Sequence, residues 1–228
     1  VVTIASRVGT GNIIGITTAI LTGGYGSVFW MWMIALVGAS TSLIESTLAQ
    51  IFKKKNQNGK YYGGPAYYIQ FAMKGKKGLA TAFTIALIAT YGVGFNMLAS
   101  YNLQSSFEIF PWYQKEITPW IIGFITAALV FYCLAGSGKR IVKITEFLVP
   151  IMGVGFILIA LVITFMNIGN IGMVFERIFA EAFDFKAIFG AFAGSCLLMG
   201  IKRGLFSNEA GVGSAPNAAA NAEVSHPV

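Results

Sequence analysis

Charge is scarce in this chain: 11% of its 228 residues are Asp, Glu, Lys or Arg, against roughly 25% in an average globular domain. A surface with so little charge is not solvated by water alone. Histidine is scarcer still. The single one, His226, lies close to the end of the sequence, so no histidine-centred acid–base chemistry runs through the chain. The two cysteines, Cys133 and Cys196, sit inside apolar segments without C-x-x-C spacing, which indicates neither a disulfide framework nor a metal site. No nucleophile is set beside a base. The chain does not read as an enzyme, and no cofactor is called for.

What fills the space is hydrocarbon: 56% of the residues are hydrophobic and the mean hydropathy is +0.70. The run FLVPIMGVGFILIALVITFM, at 147–166, has twenty residues and no ionisable group. About 20 apolar residues are needed for a helix to cross a hydrocarbon core. An all-α integral membrane protein is expected. Six apolar segments can be marked, at 1–22, 27–52, 79–105, 118–135, 144–166 and 187–221. The segment 63–73, GGPAYYIQFAM, is too short to span, and its tyrosines suit a short helix lying at the interface. The chain opens mid-pattern at VVTIASR and stops at HPV, the form expected of a piece of a longer protein.

The formal net charge of +7 is distributed by loop. Lys53, Lys54, Lys55, Lys60, Lys74, Lys76 and Lys77 fall between the second and third segments. Lys139, Arg140 and Lys143 fall between the fourth and fifth. The opposite loops mix Lys115, Arg177 and Lys186 with Glu108, Glu116, Glu176, Glu181 and Asp184. Since cytoplasmic loops carry the Lys/Arg excess, loops 53–77 and 139–143 are expected on the cytoplasmic side of a cell (plasma or inner) membrane. The charge is thus topological and does not call for nucleic acid. AGSGKR at 135–140 is a decoy: a phosphate-binding loop requires glycine where Cys133 stands and Ser or Thr where Arg140 stands.

Polar groups at membrane depth carry the functional signal, because each requires a partner. Gly9, Thr10, Gly11 and Asn12 stand in succession inside the first segment. Close helix packing would explain the glycines but not Asn12. A discontinuous helix explains both: a half-helix N-terminus suits a carboxylate, and free carbonyls with the Asn12 amide oxygen suit Na⁺. The last segment, KRGLFSNEAGVGSAPNAAA, holds Gly204, Gly211, Gly213 and Pro216 around Ser207, Asn208 and Glu209. It reads either as a loop or as two half-helices around a break. Broken first and sixth helices are what a five-helix inverted repeat places in corresponding positions. Residues 1–168 would then form the first repeat, and 169–228 an outer loop and the start of the second. Glu45, in TSLIESTLA, requires a partner or must snorkel to the interface. Asn96, in YGVGFNMLAS, either faces the same cavity or makes an interhelical hydrogen bond.

Together SRVGTGNIIGI, GGYGSVFWMW and KRGLFSNEAGVGSAPNAAA resemble the sodium:alanine/glycine symporters, along essentially the whole chain. The resemblance implies a LeuT-type fold of five-plus-five inverted repeats, here a partial chain with about six transmembrane helices, the first and sixth broken. It implies that Gly9, Thr10 and Gly11 offer N–H groups to the carboxylate of a small neutral amino acid such as alanine or glycine. Carbonyls near Ala5 and Val8, with Asn12, would face Na⁺. Ser207 and Asn208 would meet the polar ends of the substrate at a break running from 206 to 211, and Glu45 would brace the broken helices. The third segment departs from the family pattern: Ala99 and Tyr101 stand where Gln and Asn would fall.

The expected function is Na⁺-coupled symport by alternating access, with the amino acid, Na⁺ and the lipid bilayer as partners. Its competitors are a transporter of the same fold with another substrate or with H⁺ coupling, and, in a different class, a cation channel or a structural membrane subunit. A channel would require a pore-lining polar stripe, and no segment repeats one.

Overall fold

The computed structural model describes residues 10–57, 59–135, 137–184, 188 and 195–227. The first helix, α1 (Thr10–Gly23), satisfies its threonines internally: Thr17 and Thr18 donate to the Ile13 and Ile14 carbonyls and Thr22 to that of Thr18. In lipid this matters, since a hydroxyl without a partner costs several kcal/mol, on the order of 2–7. After a glycine turn comes α2 (Gly26–Ile51). A two-strand antiparallel hairpin follows, β1 (Lys54–Lys55) paired with β2 (Tyr61–Tyr62), which the apolar pattern did not announce. The expected interfacial helix is α3 (Pro65–Ala72), with Pro65 in its first turn.

The third span is one apolar rod in three pieces. α4 (Gly78–Ala89) runs through a π-helical turn (Thr90–Gly94) into α5 (Phe95–Ser105). Then come α6 (Thr118–Ala135) and α7 (Ser137–Met166), the latter carrying Pro150. A 3₁₀ turn (Ile168–Asn170) leads into the amphipathic α8 (Ile171–Ala182). Two shorter helices close the chain, α9 (Cys196–Asn208) and α10 (Ser214–Ala220). Among the described residues, four helices are long and apolar enough to cross a membrane: Gly26–Ile51, Gly78–Ser105, Thr118–Ala135 and Arg140–Met166. A shorter apolar helix covers Asn12–Gly23. The chain is a multi-pass, helical membrane protein.

Two expectations are corrected. The fifth helix begins at Ser137 rather than 144, so Arg140 and Lys143 lie in its opening turns and not in a loop. Arg140 earns its place there: its guanidinium donates to the Tyr132 carbonyl at 2.9 Å and stacks 4.6 Å from the Tyr132 ring, setting positive charge against the last turn of α6. Secondly, Thr10 and Gly11 are helical, not unwound. Gly9, the other residue of the expected break, lies outside the described residues, as do Ala5 and Val8.

The packing centre is α2, which touches α1, α8, α9 and α10. Apolar burial gives little net drive to helix association in lipid, so close approach must do the work. Gly200 and Gly204, one turn apart on α9, supply it. A Cβ at Gly200 would stand 2.6 Å from the Ser27 carbonyl oxygen, and one at Gly204 would stand 3.1 Å from Ile34 and 3.3 Å from the Met31 Cα. Ser27 is fully buried beneath this contact. On the other flank, Phe29 packs on Phe179 and Phe183, with ring centroids at 5.7 and 5.0 Å, and Trp30 Nε1 donates to the Ala182 carbonyl at 3.3 Å. α8 is thereby clamped to the start of α2. By contrast, no residue in the apolar window of α7 is buried.

The glycines rank the cost of substitution. Gly200→Ala would overlap the Ser27 carbonyl oxygen at 2.6 Å, whereas Gly204→Ala meets Ile34 and the Met31 Cα at 3.1 and 3.3 Å, where a shift of tenths of an ångström suffices. Both lower the thermal midpoint of the full-length protein in micelles, Gly200→Ala more, with a loss of about 1–3 kcal/mol as for other overpacked sites. Equal midpoints for the two variants would contradict this packing.

Candidate functional site

Helix α9 stops because Glu209 turns left-handed, at φ 54°, with its N–H returned to the Leu205 carbonyl at 3.0 Å. The next residues extend the interruption: Gly211 and Gly213 have φ of +86° and +102°, where L side chains are strained. Helix resumes at Ser214. The last segment is therefore helix–break–helix, the break falling at 209–213, a few residues beyond the start of the expected one, so that Ser207 and Asn208 form the last turn of α9. Gly213 has a second constraint: a Cβ there would come 2.8 Å from Leu87 and 3.1 Å from Pro65, so the chain passes tightly between α4 and α3.

The buried carboxylate at the break is satisfied by neighbouring elements. Glu209, 7% exposed, accepts from the Tyr91 hydroxyl at 3.1 Å and the Ser214 hydroxyl at 2.6 Å through Oε2. Tyr91 lies in the π-helical turn, and π-turns inside α-helices recur at functional sites. Its ring stacks on Phe95 at 4.9 Å, and Phe95 on Phe206 at 5.3 Å, with interplanar angles of 6° and 7°. One aromatic stack and one carboxylate thus fasten the third span to the break.

On the other side of α9, Ser207 Oγ donates to Asn12 Oδ1 of α1. These two residues and Asn208 line a cavity of about 350 Å³, floored by Ile16, Val28, Met31, Trp32, Ala35 and Gly204. Ligand pockets usually span roughly 300–1,000 Å³, so this is a small one with a few polar groups on one wall. Asn208 Nδ2 is buried and has no acceptor among the described residues. It lies against Gly38 so closely that an added Cβ would overlap it.

The structure thus brings together Asn12, Ser207 and Asn208. Asn96 is not brought with them. Its amide donates to the Tyr91 and Gly92 carbonyls at 3.0 and 3.1 Å, satisfying backbone acceptors at the π-turn. It lines a different groove, with Tyr101 and Gln104 facing Trp120 of α6. Glu45 approaches the break from α2, its Oε1 being 3.9 Å from where a Gly211 Cβ would lie. Its Oε2 is buried without a donor among the described residues. Sequence reasoning missed Tyr91 and Gly38. The first was signalled by an aromatic beside Gly92 and Gly94 in mid-span. The second carried no signal beyond being a small residue, because its importance depends on a contact with the distant Asn208.

The features on the page define a class: a polytopic helical membrane protein in which a polar cavity sits between the first helix and an interrupted later one. The family model described as the sodium:alanine symporter family matches residues 1–228, and the chain belongs to that family, one of transporters and not of enzymes. It is 45% identical over 230 residues to an "Uncharacterized transporter" of Haemophilus influenzae, covering 99% of this chain and 47% of the relative. It is 42% identical over 227 residues to the "Probable sodium/glutamine symporter GlnT" of Bacillus subtilis, covering 100% and 46%. It is 41% identical over 229 residues to the "Sodium/alanine symporter AgcS" of Methanococcus maripaludis, covering 98% and 49%. The chain spans about half the length of these curated relatives.

Outside the spans, the phenol of Tyr68 on α3 is pushed up to about 12 from the ordinary 10.0, first by burial and then by the charge of Glu45. Below pH 10.0 the phenol is neutral in folded and unfolded chain alike. Between that value and about 12 only the unfolded chain ionises, so this residue's contribution to stability is lost as pH rises through the window. In the 295 nm difference titration of the full-length protein against Tyr68→Phe, the Tyr68 step is expected near 12. Glu45→Gln lowers it part-way, because burial, the larger cause, remains. A step unmoved by Glu45→Gln would separate the two residues.

Proposed function

We propose that this chain is the first half of a sodium-coupled symporter of small neutral amino acids in the cell membrane, working by alternating access. The observation that carries the reading is the cavity of about 350 Å³ with Asn12 on α1 facing Ser207 and Asn208 at the end of α9, directly before the break. In this reading the polar wall receives the amino acid, with Thr10 and Gly11 above Asn12 at the start of α1. Asn12, with carbonyls near Ala5 and Val8, supplies oxygen to Na⁺, and Gly9 belongs to the carboxylate-facing turn. The fold is the LeuT type, the chain holding helices one to five and the broken sixth. The printed names of relatives include an alanine and a glutamine carrier. The small apolar floor favours alanine or glycine. The lysine-rich stretch 53–77 and the basic residues at 139–143 face the cytoplasm.

A second reading replaces Na⁺ by H⁺. It is favoured by Glu45 Oε2, buried without a donor among the described residues.

The test is uptake of labelled alanine by full-length protein in proteoliposomes, under an inward Na⁺ gradient, with K⁺ as replacement. Uptake is expected only with Na⁺, and Asn12→Ala lowers it at least about tenfold, the loss of one charge-assisted or buried hydrogen-bond partner being worth roughly 1–3 kcal/mol. Equal uptake in K⁺ that follows a pH gradient and disappears in Glu45→Gln would select the second reading. Absence of alanine and glycine uptake in both media would overturn the substrate assignment.

A further inference from the structure

Between the end of α2 and the start of α4 lies a surface of one sign. From 53 to 77 there are seven lysines and no Asp or Glu. Lys54, Lys55, Lys60, Lys74, Lys76 and Lys77 are exposed. Such a concentration of like charge repels itself and is stabilised by a counter-charge from outside.

The same surface is amphiphilic. A groove of about 770 Å³ runs between the hairpin and the end of α3, lined by Lys54 and Lys74 together with Phe52, Tyr67 and Phe71. The Phe52 and Phe71 rings pack at 4.5 Å, and Phe71 remains 68% exposed. The Lys54 ammonium is held 5.5 Å over the Tyr67 ring. Lys74 is itself left-handed, at φ 52°, and is followed by Gly75 at 84°, so the chain reverses there at the end of α3. Two cations lining one groove with an exposed Phe71 ring, just before a membrane span begins, match one chemistry: a phosphate headgroup above acyl chains. Soluble anions would use the cations and leave the exposed ring in water.

We propose that this groove binds the headgroup of an anionic phospholipid, with Lys54 and Lys74 on the phosphate and Phe71 against the acyl chains. The proposal rests on the reading that stretch 53–77 lies at a membrane surface, and on neither transport nor sidedness.

Native mass spectrometry of the delipidated full-length protein in neutral detergent reads it directly. Dioleoylphosphatidylglycerol and dioleoylphosphatidylcholine are offered at equal mole ratio. Phosphatidylglycerol is expected to be retained in preference, with the preference falling about fivefold per lysine in Lys54→Gln and Lys74→Gln. Lys54→Arg/Lys74→Arg keeps it, which separates charge from fold, and Lys115→Gln on the opposite loop keeps it too. Glycerol phosphate, the polar part without acyl chains, does not displace the lipid at equal concentration. Equal retention of the two lipids, unchanged retention in Lys54→Gln/Lys74→Gln, or displacement by glycerol phosphate would each overturn the proposal. Loss of alanine uptake with lipid retention intact would count against the transport reading alone.

Discussion

The contact on which the rest depends is the approach of α9 to α2 at Gly200 and Gly204. Two helices in lipid gain little from burying apolar side chains against each other, because the surrounding hydrocarbon is equally apolar. Dispersion between closely approached backbones remains, and only missing Cβ atoms allow it. With Gly200 against Ser27 and Trp30, and Gly204 against Met31 and Ile34, the register of α9 is fixed to one turn. The next residue on that stripe is Asn208, and it meets Gly38. Ser207, its neighbour, is thereby turned toward α1 and Asn12. The polar wall of the cavity is a consequence of small-residue packing eight and four residues earlier.

Interrupting α9 frees backbone groups that lipid cannot satisfy, and each orphaned group costs several kcal/mol. Around the break and the short helix after it, the structure adds hydrogen bonds from sequence-distant elements, to a side chain as well as to carbonyls. Tyr91 reaches Glu209 from the third span. At the far end of α10, Gln50 donates to the Ala219 carbonyl, and Lys53 donates to that of Ala222 at 2.9 Å, placing a cation at a helix C-terminus, where the dipole favours it. The short helix α10 is therefore held at both ends, from the third span and from α2. A seven-residue helix would be marginal on propensity alone; tertiary hydrogen bonds specify it.

Sequence patterning made the long spans legible, since a run such as 147–166 has no alternative to crossing a bilayer. It also marked the last segment as interrupted, because Gly211 and Gly213 weaken a regular helix and Pro216 fits only a first turn. Asn12, Ser207 and Asn208 were identified as polar residues requiring partners, and they do share one cavity. What escaped was whatever depends on distant geometry. The Asn96 amide is used by carbonyls at the π-turn, and no local pattern distinguishes that from facing a cavity. The extension of the fifth helix back to Ser137 was hidden because Arg140 looks like a loop residue by polarity. Its guanidinium donates to the Tyr132 carbonyl in the last turn of the preceding helix, a partner that local polarity does not announce.

The basic residues, alike in composition, divide by what they touch. Lys53 and Arg140 are directed inward, onto the ends of α10 and α6, and act as helix caps. Lys55 lies 5.4 Å over the Tyr61 ring and Lys54 over Tyr67, half-committed to aromatic faces that orient them without neutralising them. Lys60, Lys74, Lys76 and Lys77 project from the hairpin and from the reversal after α3. A topological rule counts all of them equally as markers of one side of the membrane, yet the inward pair also bonds helix-end carbonyls. The outward group adds repulsion that must be balanced from the environment. In a bilayer, the balancing charge closest to hand is the headgroup layer itself.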